Sequence, residues 1–411
     1  MGRHIAKSGP ANRSELCSPS SRRALYSEAM HERMRRFLQK VFLGFVCAAM
    51  LSSAAHAASF AVRRVSKLPA LRPLAMSVGG RMLVTPSNAA NSFGDRDYTY
   101  QWPGSYFRAA FAGRRVFFRI VNGEEILHIV VDGQESSPLV KPAPGVYEIA
   151  GLGDGKHGIG VFVATESQAA PDTFGGFAIP AGAKALRLPR RKRQIEFIGD
   201  SHTVGYGNLS PKRTCTRDEI WSDTDDMKAF GPMTARHYDA DYQINAISGR
   251  GVVRNYNGFK GDTLPEAYPY VLFDKKQNYD DPKWKPQVLV IALGTNDFST
   301  SLNPGEPWKT RDELHADYVS THVKFLEALL AQNPKAYMIV WAANVANGEV
   351  EREAQKVVQE LNKQGEGNIA FLPINDLQFS ACDSHPSLAD EKVITDKLVH
   401  LIDAHKGVWK Q

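Results

Sequence analysis

The sequence predicts an α/β protein: a three-layer domain around a parallel sheet, preceded by an antiparallel, jelly-roll-like β-sandwich. Three observations carry this. From residue 195 onward, short apolar runs alternate with amphipathic stretches of helical period. Between residues 60 and 188 the apolar runs are short, separated by turn residues, with no capped helix among them. A polar, proline-containing run, LPRRKRQ (residues 188–194), divides the two patterns. The 411 residues are enough for about two domains.

The first 57 residues read as a leader. MRRFLQK is a basic segment, VFLGFVCAAML an apolar one, and Ala55-His56-Ala57 a small-x-small cleavage signal. Cleavage is expected after Ala57, with export to the periplasm or outside the cell and translation starting at Met30 or Met34. The apolar run is short for a bilayer span, so no membrane association is expected after cleavage; an uncleaved anchor is the alternative. The leader holds nine Lys/Arg and three acids, which is the whole of the +6 net charge. The other residues carry 41 of each sign, leaving no basic footprint for nucleic acid. Of the four cysteines, Cys17 and Cys47 leave with the leader. Cys215 and Cys382 remain, an even pair in an oxidising compartment, as a single disulfide requires; two free buried thiols are the alternative.

Residues 58–189 are assigned to the sandwich. RRVFFRIVNGEEILHIVVDG contains two apolar runs split by Asn122-Gly123, a hairpin signal. GVYEIAGLGDGKHGIGVFVATES repeats the pattern around a glycine-rich turn. Its GDGKHG matches G-x-G-x-x-G, but between strands it is a turn and not a dinucleotide loop. The basic run at 190–193 reads as a solvated linker. Trp102 in QWPGS reads as sandwich core or an inter-domain contact.

Residues 190–411 form the second domain. IEFI, DYQINAIS, PQVLVIAL, AYMIVWAA and NIAFLPI are strands, and PQVLVIAL is apolar throughout, as in a strand buried on both faces. RDELHADYVSTHVKFLEALLAQ places Leu314, Tyr318, Phe325, Leu326, Leu329 and Leu330 near one helical face. GEVEREAQKVVQELNKQG and LADEKVITDKLVHLIDAH are amphipathic helices, and DMKAFGPMTARHY is a shorter one.

Ligands bind such sheets at the carboxyl ends of their strands. Gly199-Asp200-Ser201 follows the first strand, Gly249 the second, and Gly294-Thr295-Asn296-Asp297 the third. Cys382-Asp383-Ser384-His385-Pro386 follows the last strand and a short loop. Together they supply a hydroxyl, an imidazole, carboxylates and hydrogen-bond donors, the inventory of serine acyl transfer. The chain carries no P-loop, no H-E-x-x-H, no Cys-x-x-Cys and no G-x-S-x-G elbow, and the chemistry requires no metal or cofactor.

These four blocks, FIGDSHTVGYGN, ISGRG, LGTNDF and CDSHPS, resemble those of the SGNH (GDSL-type) hydrolases, in the family's order. The resemblance implies Ser201 as nucleophile, His385 as base, and Gly249 and Asn296 as oxyanion donors beside the Ser201 N–H. The family's common last block is Asp-x-x-His, which would put the acid where Cys382 stands. Here Asp383 lies two residues before His385, so either Asp383 or a backbone carbonyl orients the imidazole. YTYQWPGSYFRAAFAG and VVDG, with GDSHTVGYGN and CDSHPS, are further similar to the second family of carbohydrate esterases, secreted deacetylases with an N-terminal sandwich. That implies O-acetyl removal from an acetylated polysaccharide or oligosaccharide. A lipase, thioesterase or peptidoglycan O-acetylesterase of the same fold, and a non-catalytic carbohydrate binder, are the alternatives. Trp341, after the strand run AYMIV, is a candidate for stacking on a sugar, with a core role as the alternative. A Cys215–Cys382 bridge would tether the histidine loop to the serine loop. Asp200 reads as a loop-stabilising acceptor. His202, beside the nucleophile, is an unlikely base, because adjacent side chains rarely face one another.

Overall fold

Alternation of buried and exposed side chains builds two antiparallel sheets first. The computed structural model describes residues 60–87 and 92–410; the expected leader, its cleavage site and both of its cysteines lie outside them. One sheet runs Ala61–Val65, Gly145–Ala150, Val116–Asn122, Asp172–Pro180, Arg96–Tyr100, Leu83–Pro86, with Leu71–Leu74 also on Asp172–Pro180. The other runs Leu139–Val140, Ile126–Val131, Lys156–Val163, Tyr106–Ala112, Lys184–Leu186, with Met76–Gly79 and Gln134–Glu135 at its edges. Their inner faces meet over Phe107, Phe111, Phe118, Ile129, Val161 and Phe174, all buried. This is the expected β-sandwich.

Both expected hairpins turn out to be crossings between the sheets. Val116–Asn122 and Ile126–Val131 lie in different sheets, as do Gly145–Ala150 and Lys156–Val163. Asn122 and Gly123 do not take the left-handed conformation a two-residue hairpin turn needs. Instead the Asn122 amide donates to the Pro171 carbonyl and to Asp172, which also accepts the Glu124 N–H. Sequence next to an Asn-Gly pair is equally apolar on either route, so the pattern alone does not separate hairpin from crossing.

The second part is a five-stranded parallel sheet. Its strands are β1 (Arg193–Gly199), β2 (Ala240–Ala246), β3 (Val288–Ala292), β4 (Tyr337–Ala343) and β5 (Ile369–Ile374), in the order β2-β1-β3-β4-β5. Side chains alternate strictly between its faces. Ile198, Leu289, Ile291, Met338 and Val340 meet helices Arg311–Gln332 and Glu349–Lys363 on one side. Ile195, Phe197, Val290, Ile339 and Trp341 meet Phe230–His237 and Leu388–Ala404 on the other. The six apolar residues expected on one face of the long helix are all buried. Thr310 caps that helix through the Glu313 N–H, and a Ser387/Asp390 capping box starts the last one.

The sandwich docks on this sheet through its 101–106 loop. Trp102 is 1% exposed; its indole donates to the Tyr270 carbonyl at 3.1 Å and its ring meets Phe273. Gly104 lies against strand β2, where a Cβ would come within 2.5 Å of Ile244, and its N–H donates to Asp226. Tyr106 packs on Tyr242 and donates to Asp241. Burying each such aromatic contributes roughly 1.5–3 kcal/mol.

Candidate active site

Register brings the blocks together. Gly199 pairs with Ala246 on one side and Ala292 on the other, so three strands end at one level and release their loops side by side. At Gly199 no side chain fits: a Cβ would stand 2.0 Å from the Thr203 hydroxyl and 2.9 Å from the Ala292 carbonyl. The chain therefore turns at once into a short helix, Ser201–Val204, capped by Asp200 through the His202 N–H at 3.1 Å. Ser201 is the first helical residue, so its own N–H has no partner within the helix.

The last block supplies the imidazole. His385 Nε2 stands 2.8 Å from Ser201 Oγ, across 184 positions of sequence. The Cys382 carbonyl accepts from both the His385 backbone N–H and ring Nδ1, each at 3.0 Å. That contact places the proton on Nδ1 and leaves the Nε2 lone pair facing the serine hydroxyl. Cys382 is bonded to Cys215, as expected, with Cα atoms 5.5 Å apart. Arg213 reinforces the tether, its guanidinium donating to the Gln378 and Phe379 carbonyls and its own carbonyl accepting the Asp383 N–H. Tyr206 covers His385, with ring centroids 4.3 Å apart.

Two expectations need correction. Asp383 does not touch the imidazole. Its backbone is left-handed, φ +50°, and its exposed carboxylate instead accepts from Tyr206 OH at 3.3 Å. Of the two alternatives for orienting His385, the geometry has the backbone carbonyl. Trp341 is not available to a sugar. Strand β4 continues to Ala343, so Trp341 lies within the sheet, 2% exposed, edge-on to Phe230 in the core.

Gly249 and Asn296 reach the same edge. Gly249 has φ +82°, the left-handed region where a side chain is strained. A Cβ there would meet only the Phe259 ring, at 3.4 Å, so backbone conformation, not obstruction, requires glycine. No acceptor among the described residues takes the Gly249 N–H. The Asn296 amide is 4% exposed and donates to Asp200 at 3.1 Å and to the Arg250 carbonyl at 2.8 Å. Both of its hydrogens are thus engaged, and donation to a third acceptor requires sharing or exchanging one.

Electrostatics follow from burial. Desolvation pushes His385 down to about 4, against the Cys382 carbonyl and the Asp383 charge, so the imidazole is neutral at pH 7. His202 is buried against Trp341, Phe379 and His385 and is pushed down to about 3, first by burial and then by His385. Burial raises Asp200 to about 7 and Asp297 to about 6. Asp297, passed over in the sequence as a turn residue, accepts the Val252, Val253 and Arg254 N–H groups and so fixes the loop that carries Gly249. Its place after Asn296 was the available signal; what it binds depended on tertiary contact.

Comparison with known proteins agrees with this architecture. Residues 92–189 match the family model "Carbohydrate esterase 2 N-terminal", and residues 195–398 match "GDSL-like Lipase/Acylhydrolase". An acetylxylan esterase / glucomannan deacetylase of Cellvibrio japonicus is 42% identical over 369 residues, 89% of this chain and 98% of that one. The chain belongs to the carbohydrate esterase 2 family. Members of known structure superimpose well. A carbohydrate esterase whose active site displays divergent catalytic and non-catalytic binding functions is 42% identical, with a TM-score of 0.77 over 82% of this chain and all of that one. A family two carbohydrate esterase from Clostridium thermocellum in complex with cellohexaose is 26% identical, TM-score 0.69, over 81% and 100%. As a member of the carbohydrate esterase 2 family, the protein is a carboxylic ester hydrolase.

Proposed function

We propose that this esterase is exported and removes O-acetyl groups from a polysaccharide or oligosaccharide through an acyl-enzyme on Ser201. Under this reading residues 1–57 are the removed leader, 58–189 the sandwich and 190–411 the catalytic domain. The observation that carries the mechanism is the 2.8 Å contact between Ser201 Oγ and His385 Nε2, with Nδ1 held by the Cys382 carbonyl. The imidazole takes the serine proton as Oγ attacks the acetyl carbonyl, then returns it to the departing sugar hydroxyl. Water deacylates Ser201 by the same route. The Ser201 and Gly249 N–H groups and the Asn296 amide receive the charge that develops on the carbonyl oxygen, each donor contributing about 3–4 kcal/mol to the barrier reduction. A neutral carbonyl behind the imidazole fixes its tautomer without supplying a buried negative charge.

The substrate class follows from kinship with the Cellvibrio japonicus acetylxylan esterase / glucomannan deacetylase. Tyr256 and Phe259, 52% and 42% exposed, present aromatic surface beside Gly249 of the kind on which sugar rings stack. Acetate release from acetylated xylan, glucomannan and peptidoglycan tests the class directly. The expected result is release from the plant-type polymers, with activity on 4-nitrophenyl esters falling steeply from acetyl to octanoyl. Preference for octanoyl esters would favour a lipase instead. Loss of turnover in Ser201→Ala separates hydrolysis from sugar binding alone.

A further inference from the structure

The Gly249 N–H belongs to the peptide unit that joins Ser248 to Gly249, and the other end of that unit is the Ser248 carbonyl. In a trans peptide the two groups point in opposite directions, so whatever holds the carbonyl aims the N–H. The holder comes from the β-sandwich. Gln168 Nε2 donates to the Ser248 carbonyl at 3.1 Å. Glu166 Oε1 accepts the Ser248 N–H at 2.8 Å. The two side chains are joined to each other, Gln168 Nε2 donating to Glu166 Oε1 at 3.1 Å. Gln101 fixes this segment in turn: its amide donates to the Gln168 carbonyl, and its own oxygen accepts the Phe273 N–H of the catalytic domain.

We infer that Glu166 and Gln168 of the β-sandwich are positioning residues for the Gly249 N–H, which makes the sandwich a working part of the catalytic centre. This rests on the reading of Gly249 as an oxyanion donor. Glycine at φ +82° needs such a clamp, because its peptide units rotate with little steric resistance. Farther along the loop, Asn296 binds the Arg250 carbonyl and Asp297 binds three N–H groups from Val252 to Arg254. Those contacts fix the loop beyond Gly249. Before it, the side chains that hold the Ser248 peptide groups are those of the sandwich. Donation to the Ser248 carbonyl also polarises the peptide unit, which strengthens the Gly249 N–H as a donor. The clamp has no equal effect on the ground state, where the ester oxygen carries little charge, so its effect belongs in kcat.

The test uses the full-length mature enzyme with Gln168→Ala, Gln168→Glu, Glu166→Leu, Glu166→Gln and Ser201→Ala. Gln168→Glu keeps the shape and removes the donor; Glu166→Gln keeps an acceptor and removes the charge. Each is assayed for kcat and KM on 4-nitrophenyl acetate, and for inhibition by methylboronic acid, which forms a tetrahedral adduct on serine. Both Gln168 variants and Glu166→Leu are expected to lose roughly 3- to 10-fold in kcat, the worth of about one hydrogen bond. KM should stay within about twofold, and boronate affinity should fall by the same factor as kcat/KM. Glu166→Gln is expected to stay within about threefold of wild type. Gln168 is exposed, so its replacement leaves the fold's core untouched. Unchanged kcat in both Gln168 variants, or lost kcat with unchanged boronate affinity, overturns the inference while the nucleophile assignment stands. Retained turnover in Ser201→Ala overturns the active-site reading itself, and the inference with it.

Discussion

Replacing Asp383 by Asn tests how the imidazole is held. Asparagine tolerates the left-handed backbone at this position and removes only the charge. Were Asp383 the acid of a triad, this substitution would cost on the order of 10⁴ in kcat. The structure leads to a different magnitude. Nδ1 is bound by the Cys382 carbonyl at 3.0 Å, which the substitution leaves in place. The Asp383 carboxylate is exposed and meets the site only through its field and through Tyr206. An exposed charge of this kind contributes about 0.2–1 kcal/mol, so kcat/KM should fall by only about 1.5- to 5-fold. The pH profile supplies a second readout. His385 must be neutral to act as base, so activity rises with pH through its pKa of about 4 and then levels. The Asp383 charge raises that pKa, so Asp383→Asn should move the acid limb downward. Initial rates on 4-nitrophenyl acetate between pH 3.5 and 8, with circular dichroism to check folding, measure both. A loss of 10³ or more in a folded variant, or an acid limb moving upward, would refute the carbonyl-held imidazole.

Four further outcomes are expected. Cys215→Ser opens a bridge spanning 167 residues and should cost about 2–4 kcal/mol, lowering Tm by several degrees and kcat with it, since the histidine loop loses its tether; an unchanged Tm would contradict this. Gly249→Ala must hold alanine at φ +82°, a cost of about 1–2 kcal/mol, and should lower kcat about tenfold in steady-state assays; wild-type kcat would show that the backbone there is not strained. Asn296→Ala should lower kcat by about 10²–10³ with little change in KM, and a change confined to KM would remove the amide from the oxyanion site. His322 is fully buried with neither ring nitrogen bonded, and burial pushes it down to about 3. Its folded pKa lies below the unfolded value, so the unfolded chain binds the extra proton and stability falls as pH drops below about 6.5, at about 1.4 kcal/mol per unit. His322→Met should therefore lose about 2–3 kcal/mol less than wild type between pH 6.5 and 4.5 in urea titrations. Asp200 and Asp297, raised to about 7 and about 6, gain stability over the same range, but equally in both proteins. Parallel pH dependence would contradict the assignment.

Most of the catalytic fold was legible in the sequence because its signals are local. An apolar run such as PQVLVIAL has few alternatives to a doubly buried strand, and the spacing of Leu314, Tyr318, Leu326 and Leu330 leaves one face for a helix to bury. The block order alone placed Ser201, Gly249, Asn296 and His385 at strand ends, and the count of cysteines in an exported chain indicated the Cys215–Cys382 bond. Chemistry that depends on which groups are present is written along the chain.

Tertiary structure decided what depends on direction. Whether Asn122-Gly123 turns back or crosses between sheets is set by the partner sheet, through Asp172 and the Pro171 carbonyl. Whether Trp341 faces a substrate or the core is set by how far strand β4 continues and by which face its register assigns. Which oxygen holds His385 is set by the left-handed backbone at Asp383, which leaves the carboxylate with Tyr206 and the Cys382 carbonyl with the imidazole. The Ser248 peptide is held by side chains about eighty positions away on another domain. A residue's type fixes the bonds it is able to make, but hydrogen bonds act over about 3 Å and only along favourable directions, so the folded chain alone determines which of them form.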